Sequence, residues 1–456
     1  MRDYFFLLIL PFILYAMLKR PFIGLGMWVW TAMFFPNIWI YGIASNIRYN
    51  LLFSIVAIIS YVAMRNKPKI KFEGITFLVI LFLIWTTFSS FGTLAPPATT
   101  WDIWIRFSKV VLLFVFIIFI LEKKLHVDFL LWSVVLSIGF YGALEALKFI
   151  ASGGGHKIEG HEGHVLGDRN ELACALVMTL PICYYLMLEY GKQNKIVRFG
   201  LLGLMALLVT AVIGTQSRGG LVALIGLGVY MFVKSDRKGL LTALAVVLAF
   251  ALSGFVSEEW ISRMDTIATA DQDASFMGRI VAWKLSFILA VQNPIFGGGF
   301  KSLEYFPVWT MLSEDFFSYP FFYTGDALPS VTRGVAAHSI YFQVLGEHGF
   351  VGLAIYGSVL GLAFLKAGRI AKRARKLNAP TWISTLATML QSSIFAFGLG
   401  GAALSFAYFE LTFAIFALIV VLETRLLPSA VSDAPPAATN PKQAFSRSRE
   451  VMKHEV

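Results

Sequence analysis

Long, nearly uncharged apolar runs recur along the chain at about residues 4–18, 22–35, 50–64, 75–91, 104–121, 128–150, 171–189, 197–213, 219–233, 239–255, 339–365, 381–400 and 402–424. About 20 such residues cross the hydrocarbon core of a bilayer as a helix, which satisfies its own backbone polar groups. Several runs are shorter. The first two fit a shallow or re-entrant pair, and the stretch from Trp382 to Leu422 fits one bent unit, so the pattern predicts twelve or thirteen transmembrane helices. Unbroken runs exclude a membrane β-barrel, whose short strands would alternate. The predicted fold is an all-α polytopic membrane helical bundle.

The polar connections set its orientation. Every second one is basic: Lys19-Arg20, the stretch from Arg65, Lys123-Lys124, the stretch ending at Arg198, the stretch from Lys234, and the stretch from Lys366. Short basic loops stay in the cytoplasm. The others then face outward, namely residues 151–170, the turn from Thr215 to Gly220, and a long insertion in which acidic residues outnumber basic ones nine to five. This divides the chain into N-terminal transmembrane helices (1–255), an outward loop domain with amphipathic helices (256–337), C-terminal transmembrane helices (338–427) and a cytoplasmic tail (428–456). The tail is rich in Ala, Pro and Ser and is expected to be disordered. The run from Tyr4 to Leu18 lacks a small-residue cleavage site and ends on Lys19-Arg20, so it does not read as a removable signal peptide.

Composition agrees. With 57% hydrophobic and 14% charged residues in 456, and a mean hydropathy of +0.72, the chain is neither a soluble globule nor a disordered polymer. Its net charge of +11 is spread over loop clusters instead of forming a nucleic-acid patch. Cys174 and Cys183 match neither a disulfide framework nor a zinc spacing and read as plain helix residues. No fixed-period repeat is visible, which disfavours transporter folds built from inverted halves.

Four outward segments carry candidate chemistry. In Thr215-Gln216-Ser217-Arg218-Gly219-Gly220 an arginine sits between two apolar helices, either as an anion clamp or as an anchor reaching for headgroups. In Gly278-Arg279-Ile280-Val281-Ala282-Trp283 the arginine is expected in or near the first turn of an amphipathic helix, which Asn293-Pro294 and Gly297-Gly298-Gly299 terminate. There it would meet a phosphate together with free helix amides, or face headgroups with Lys284. Arg169 follows Asp168, and Asp168 or Asn170 is the expected N-cap of the next helix. His338 is expected to begin a helix, and an imidazole with an ordinary pKa of about 6.5 suits proton abstraction, although a lone interfacial histidine is more often structural. Glu347, nine residues on, would lie half a turn round that helix and not orient His338.

Weaker signals are His156, His161 and His164 as metal ligands, Asp271-Gln272-Asp273 as a DxD metal motif, and the aromatic stretch holding Tyr305, Trp309, Phe317 and Tyr323 as a sugar or lipid grip or an interfacial belt.

In this order and on this topology, the chain resembles the O-antigen ligase family, within the superfamily of O-antigen polymerases and pilin-glycosylating oligosaccharyltransferases. The resemblance rests on the TxSRGG turn at Thr215, on Arg279-x-x-x-Trp283 followed by Pro294-x-x-Gly297-x-Gly299, and on His338-Ser339 to Glu347-x-Gly349 after a long periplasmic loop. It implies a GT-C-like, multi-pass protein of the bacterial inner membrane whose active site faces the periplasm, with no metal, cofactor or nucleotide sugar. The implied donor is a glycan on undecaprenyl diphosphate and the implied acceptor a sugar hydroxyl of lipid A-core. Arg218 and Arg279 carry over as catalytic and substrate-binding arginines and His338 as the catalytic histidine. Arg169, Trp283 and Ser339 carry over as substrate-binding residues. A polymerase would take a second lipid-linked glycan as acceptor, and a protein O-oligosaccharyltransferase a Ser or Thr. From another class, a lipid-linked glycan transporter is suggested by Glu145 and Glu410 within apolar runs.

Overall fold

The computed structural model describes residues 2–234, 238–239, 274–322, 324 and 327–432. Among the described residues the chain forms helices and no strand. They are α1 (Arg2–Lys19), α2 (Pro21–Met33), α3 (Gly42–Ser45), α4 (Tyr49–Val62), α5 (Gly74–Phe91), α6 (Pro97–Ile120), α7 (Lys124–Val134) running through a π turn into α8 (Phe140–Ala151), α9 (Arg169–Tyr190), α10 (Lys195–Gly214), α11 (Arg218–Lys234), α12 (Ala274–Gln292), α13 (Phe306–Glu314), α14 (Ile340–Lys376), α15 (Thr381–Gly401) and α16 (Glu410–Val421). The predicted apolar runs that are described are helical over most of their length, apart from residues 402–409. The run 239–255, the DxD motif, Tyr323 and the tail beyond 432 lie outside the described residues.

Nine of these helical segments are long and apolar enough to cross a membrane. The core wraps around α9, whose buried side includes Cys174 and Cys183, both free thiols. One end of the bundle gathers the basic loops. There Lys366 holds Glu73 and Glu423, each at 2.5 Å, and Arg425 donates to the carbonyls of Ile118, Leu121 and Lys69. Lys124 pairs with Asp128 at 2.6 Å. The other end gathers the remaining turns: the Ile158 amide donates to the Gly214 carbonyl at 3.1 Å, and the Ser217 hydroxyl to Asn170 at 2.7 Å.

Three expectations are corrected. The stretch from Trp382 to Leu422 is two helices parted by residues 402–409, because Glu410 opens a new helix there. The final helix continues through a π turn to Ser432, so the first residues of the segment expected to be disordered are ordered against the bundle. The run from 339 is not one straight span, since Gly349 breaks helical geometry inside α14 with φ 71° and ψ −173°.

That break has a packing cause. The Gly298 and Gly299 amides donate to the carbonyls of Gly346 and Glu347 at 2.9 and 2.8 Å, and the Phe350 amide donates to the Pro294 carbonyl at 2.9 Å. The Pro294–Gly299 motif and the Glu347-x-Gly349 motif are thus the two halves of one backbone clasp. A third strand of chain joins it where the Leu94 amide donates to the Gly298 carbonyl at 2.8 Å.

The clasp also settles how α12 lies. Its Arg279 end borders the α10–α11 and α15–α16 turns, while its far end reaches the α5–α6 turn through Gly298. Both ends meet turns at the same end of the bundle. Although α12 is apolar enough to span, it lies across the helix ends, beside residues 340–348 of α14. Trp283 stacks on Phe342 with centroids 5.1 Å apart. Its buried face forms a separate small core with Trp309, Leu312 and Phe316, so the aromatic stretch is divided. Trp309 is core, its indole donating to the Ser330 carbonyl at 3.0 Å, and Phe317 is exposed.

Candidate active site

Two helix starts are tied together at the end opposite the basic loops. Asp168 caps α9 by accepting from the Asn170 amide at 2.7 Å. Ser217 accepts from the Gly220 amide at 3.0 Å at the start of α11. The Asn170–Ser217 hydrogen bond links these caps, and Gly220 lets the helices close up, since a Cβ there would stand 2.5 Å from the Ala173 Cβ. Arg169 and Arg218 therefore open neighbouring helices, where backbone amides and the positive ends of the helix dipoles already favour an anion.

Arg279 of α12 completes the group. Arg169, Arg218, Arg279 and Trp283 line one cavity of about 330 Å³, closed by Gly219, Ala402 and Ala403 among others. Three arginines from segments far apart in sequence meet on one hollow. Two polar atoms of its lining residues, the Trp283 indole nitrogen and the Gln216 Oε1, are buried with no hydrogen-bond partner among the described residues, as expected where a ligand supplies the missing partners. Gln216 holds a left-handed φ of 52° in this turn.

The details depart from the sequence reading in places. The described helix is already formed at Ala274, so Gly278 lies inside it and Arg279 is a turn further in than expected, away from first-turn amides. His338 does not begin a helix. It takes a left-handed φ of 48° just before Ser339, the N-cap of α14, and its amide donates to the Ser405 hydroxyl at 2.8 Å. Ser339 is only 2% exposed and its carbonyl accepts the Gln343 amide at 2.8 Å, so it shapes the helix start.

His338 is half-buried and stands outside the lining of the arginine cavity, yet within electrostatic reach of it. Burial, and then the Arg279 guanidinium, hold its imidazole below the ordinary 6.5, with Asp168 and Glu304 pulling the other way. Glu347 does not face it. Its carboxylate accepts the Lys301 amide at 3.0 Å and the Tyr408 hydroxyl, and His348 bridges Tyr408 and Ser89 at 2.9 and 2.8 Å. This buried chain pins the clasp to α5. Sequence reading missed it because its members come from four distant segments.

The weaker signals resolve into structural roles. His156 pairs with Glu145 at 2.7 Å and His164 bonds the Ala32 carbonyl at 3.2 Å. No group of three His, Cys, Asp or Glu is arranged for a metal ion among the described residues. Glu145 also pairs with Lys148 at 2.7 Å near the end of α8, and Glu410 is the first residue of α16, so neither carboxylate sits at mid-depth as the transporter alternative needs.

Residues 1–191 match a family of unknown function (DUF5935), and residues 203–357 match the family described as O-antigen ligase. No curated protein matches the chain. The O-antigen ligase match takes in the Arg218 turn, α12, both halves of the clasp and His338. The chain, a multi-pass helical membrane protein, thus carries over residues 203–357 a domain that matches the O-antigen ligase family, which supports glycosyl transfer of the ligase or polymerase type in general.

Proposed function

We propose that the protein is an O-antigen ligase of the bacterial inner membrane. It moves a glycan from undecaprenyl diphosphate to a sugar hydroxyl of lipid A-core on the periplasmic side, by inverting transfer without metal. The observation that carries this reading is the meeting of Arg169, Arg218 and Arg279 on one cavity, with His338 within electrostatic reach of Arg279.

The chemistry follows from charge. As the anomeric C–O bond breaks, its electron pair leaves with the diphosphate. Fixed cations that bind this growing charge more tightly than the ground state lower the barrier. Guanidinium groups suit the task because they stay charged and grip phosphate in two-point fashion. The acceptor oxygen forms the new bond from the opposite face, and its proton passes to the His338 imidazole, which must be neutral to take it.

Replacing Arg218 or Arg279 with alanine is expected to weaken binding of undecaprenyl-diphosphate glycan roughly 10- to 100-fold, the scale of one lost charge-assisted contact. Unchanged donor affinity and turnover in both variants would refute the clamp.

A pH profile tests the histidine separately. With the His338 pKa held below 6.5, the base form dominates at neutrality, and turnover at saturating donor should fall only below about pH 6.5. Arg279→Gln removes a lowering charge, so this acid limb should move to higher pH. A limb that stays in place disconnects the two residues.

The deciding experiment incubates purified protein with donor in chelator, adding lipid A-core, a second lipid-linked glycan or a Ser/Thr-bearing protein. Glycan joined to lipid A-core is the expected product. Product with either other acceptor alone would make the enzyme a polymerase or a protein ligase.

A further inference from the structure

At the end of the bundle opposite the arginine cavity lies another cation-lined hollow, of about 350 Å³, none of whose lining residues has a part in the transfer chemistry above. Its walls come from the ends of three connections that the sequence reads as cytoplasmic. Arg20 and Phe22 stand at the start of α2, Met64 just past α4, and Ile120, Lys123 and Leu125 around the α6–α7 turn. Helix α6 has 24 residues, about 36 Å at 1.5 Å per residue, which is one crossing of a bilayer. Its last residue, Ile120, and Lys123 beyond it therefore stand at headgroup level, on the side where short basic loops stay.

The lining is cationic without a counter-charge. Arg20 and Lys123 are both exposed, and neither has an ion pair among the described residues. No carboxylate lines the hollow. Glu122, the nearest in sequence, is within electrostatic reach of Arg425 and of His126 but stands outside the lining. Other cations at this end are occupied: Lys124 by Asp128, Lys366 by Glu73 and Glu423, and Arg425 by backbone carbonyls. Beside the two cations the wall is apolar, made by Phe22, Met64, Ile120 and Leu125, and Leu125 is 58% exposed. The half-buried His126 ring stacks on Phe22 with centroids 4.4 Å apart, which stiffens this wall.

Two uncompensated cations beside an apolar wall at headgroup depth match a phosphate that carries acyl chains. The phosphate meets both cations, and the first acyl carbons meet the wall. A soluble phosphate would leave the wall unused, and a zwitterionic lipid would bring a cation of its own to the pair. We propose that this hollow seats an anionic phospholipid of the cytoplasmic leaflet, of the phosphatidylglycerol type, with its phosphate between Arg20 and Lys123. The seated lipid bridges the start of α2 to the α6–α7 turn and so strengthens the hold of the first helices on the bundle, as any ligand of the folded state alone does. The inference uses no part of the ligase reading. All of its residues lie in the segment matched by the family of unknown function.

The test titrates phosphatidylglycerol into the full-length protein in neutral detergent and reads retained lipid by native mass spectrometry. Arg20→Gln/Lys123→Gln should bind it roughly 25-fold more weakly than wild type, at about 5-fold for each cation near an anionic lipid. The control Lys195→Gln/Arg198→Gln removes the same charge from exposed positions of α10 at the same end and should bind like wild type. Phosphatidylcholine should be held weakly and equally by all three proteins. Phosphatidylglycerol should also raise the melting temperature of wild type and control but not of Arg20→Gln/Lys123→Gln. Each protein without lipid is its own reference, so a folding cost of the substitutions does not blur the comparison. Equal affinity in wild type and Arg20→Gln/Lys123→Gln, an equal loss in the control pair, or no preference over phosphatidylcholine overturns the proposal. So does lipid-free glycerophosphoglycerol that protects as well as the lipid, since the ligand would then be a soluble anion.

Discussion

His338→Ala is expected to lower turnover about 10²- to 10⁴-fold, the usual contribution of a positioned general base, while donor affinity stays near wild type. The separation follows from geometry, because His338 stands outside the lining of the arginine cavity. Fold should survive as well. The contact that fixes this position is made by the backbone amide to Ser405, and alanine keeps that amide. A left-handed φ costs alanine a little more than histidine, so the variant's melting temperature belongs beside its turnover. Single-turnover transfer with bound donor gives the rate free of binding effects. Near wild-type turnover would remove the imidazole from the mechanism, and a parallel loss of donor affinity would make it part of the phosphate site.

The bundle was legible in the sequence because membrane spans announce themselves by length and apolarity. The alternation of basic loops put Lys124, Lys366 and Arg425 at one end, where the structure gathers them. Arg169, Arg218 and Arg279 stood out because each lies next to a cap or glycine signal in an outward segment, and their roles and that of Trp283 came from the family resemblance. What periodicity does not encode is tertiary encounter. Nothing local says that Pro294–Gly299 docks on Gly346–Phe350, so the break at Gly349 was invisible and the run from 339 read as one span.

Gly349→Val is expected to cause a large loss of stability by opening the clasp. At φ 71° and ψ −173° the backbone occupies a region open essentially to glycine alone, and a β-branched residue resists positive φ most strongly. Space is also absent. A Cβ at Gly349 would lie 2.7 Å from the carbonyl oxygens of both Pro294 and Ile295, which are backbone atoms and cannot rotate away. Relief requires the strands to part, which gives up the Phe350–Pro294 hydrogen bond and strains those from Gly298 and Gly299. Strain of about 1–3 kcal/mol and one or two lost hydrogen bonds at about 1 kcal/mol each give a total of about 2–5 kcal/mol. Glycan transfer should fall with stability, because His338 directly precedes the helix start at Ser339, and residues 340–348 of that helix are held in place by the same clasp. Gly357→Ala is the control on the same helix: a Cβ there meets nothing within 4 Å, and alanine favours a helix over glycine by up to about 1 kcal/mol. Thermal unfolding in detergent should therefore place Gly349→Val well below wild type and Gly357→Ala at or slightly above it. If the two variants melt together, the clasp does not hold the catalytic end of the bundle, and the break in α14 needs another cause.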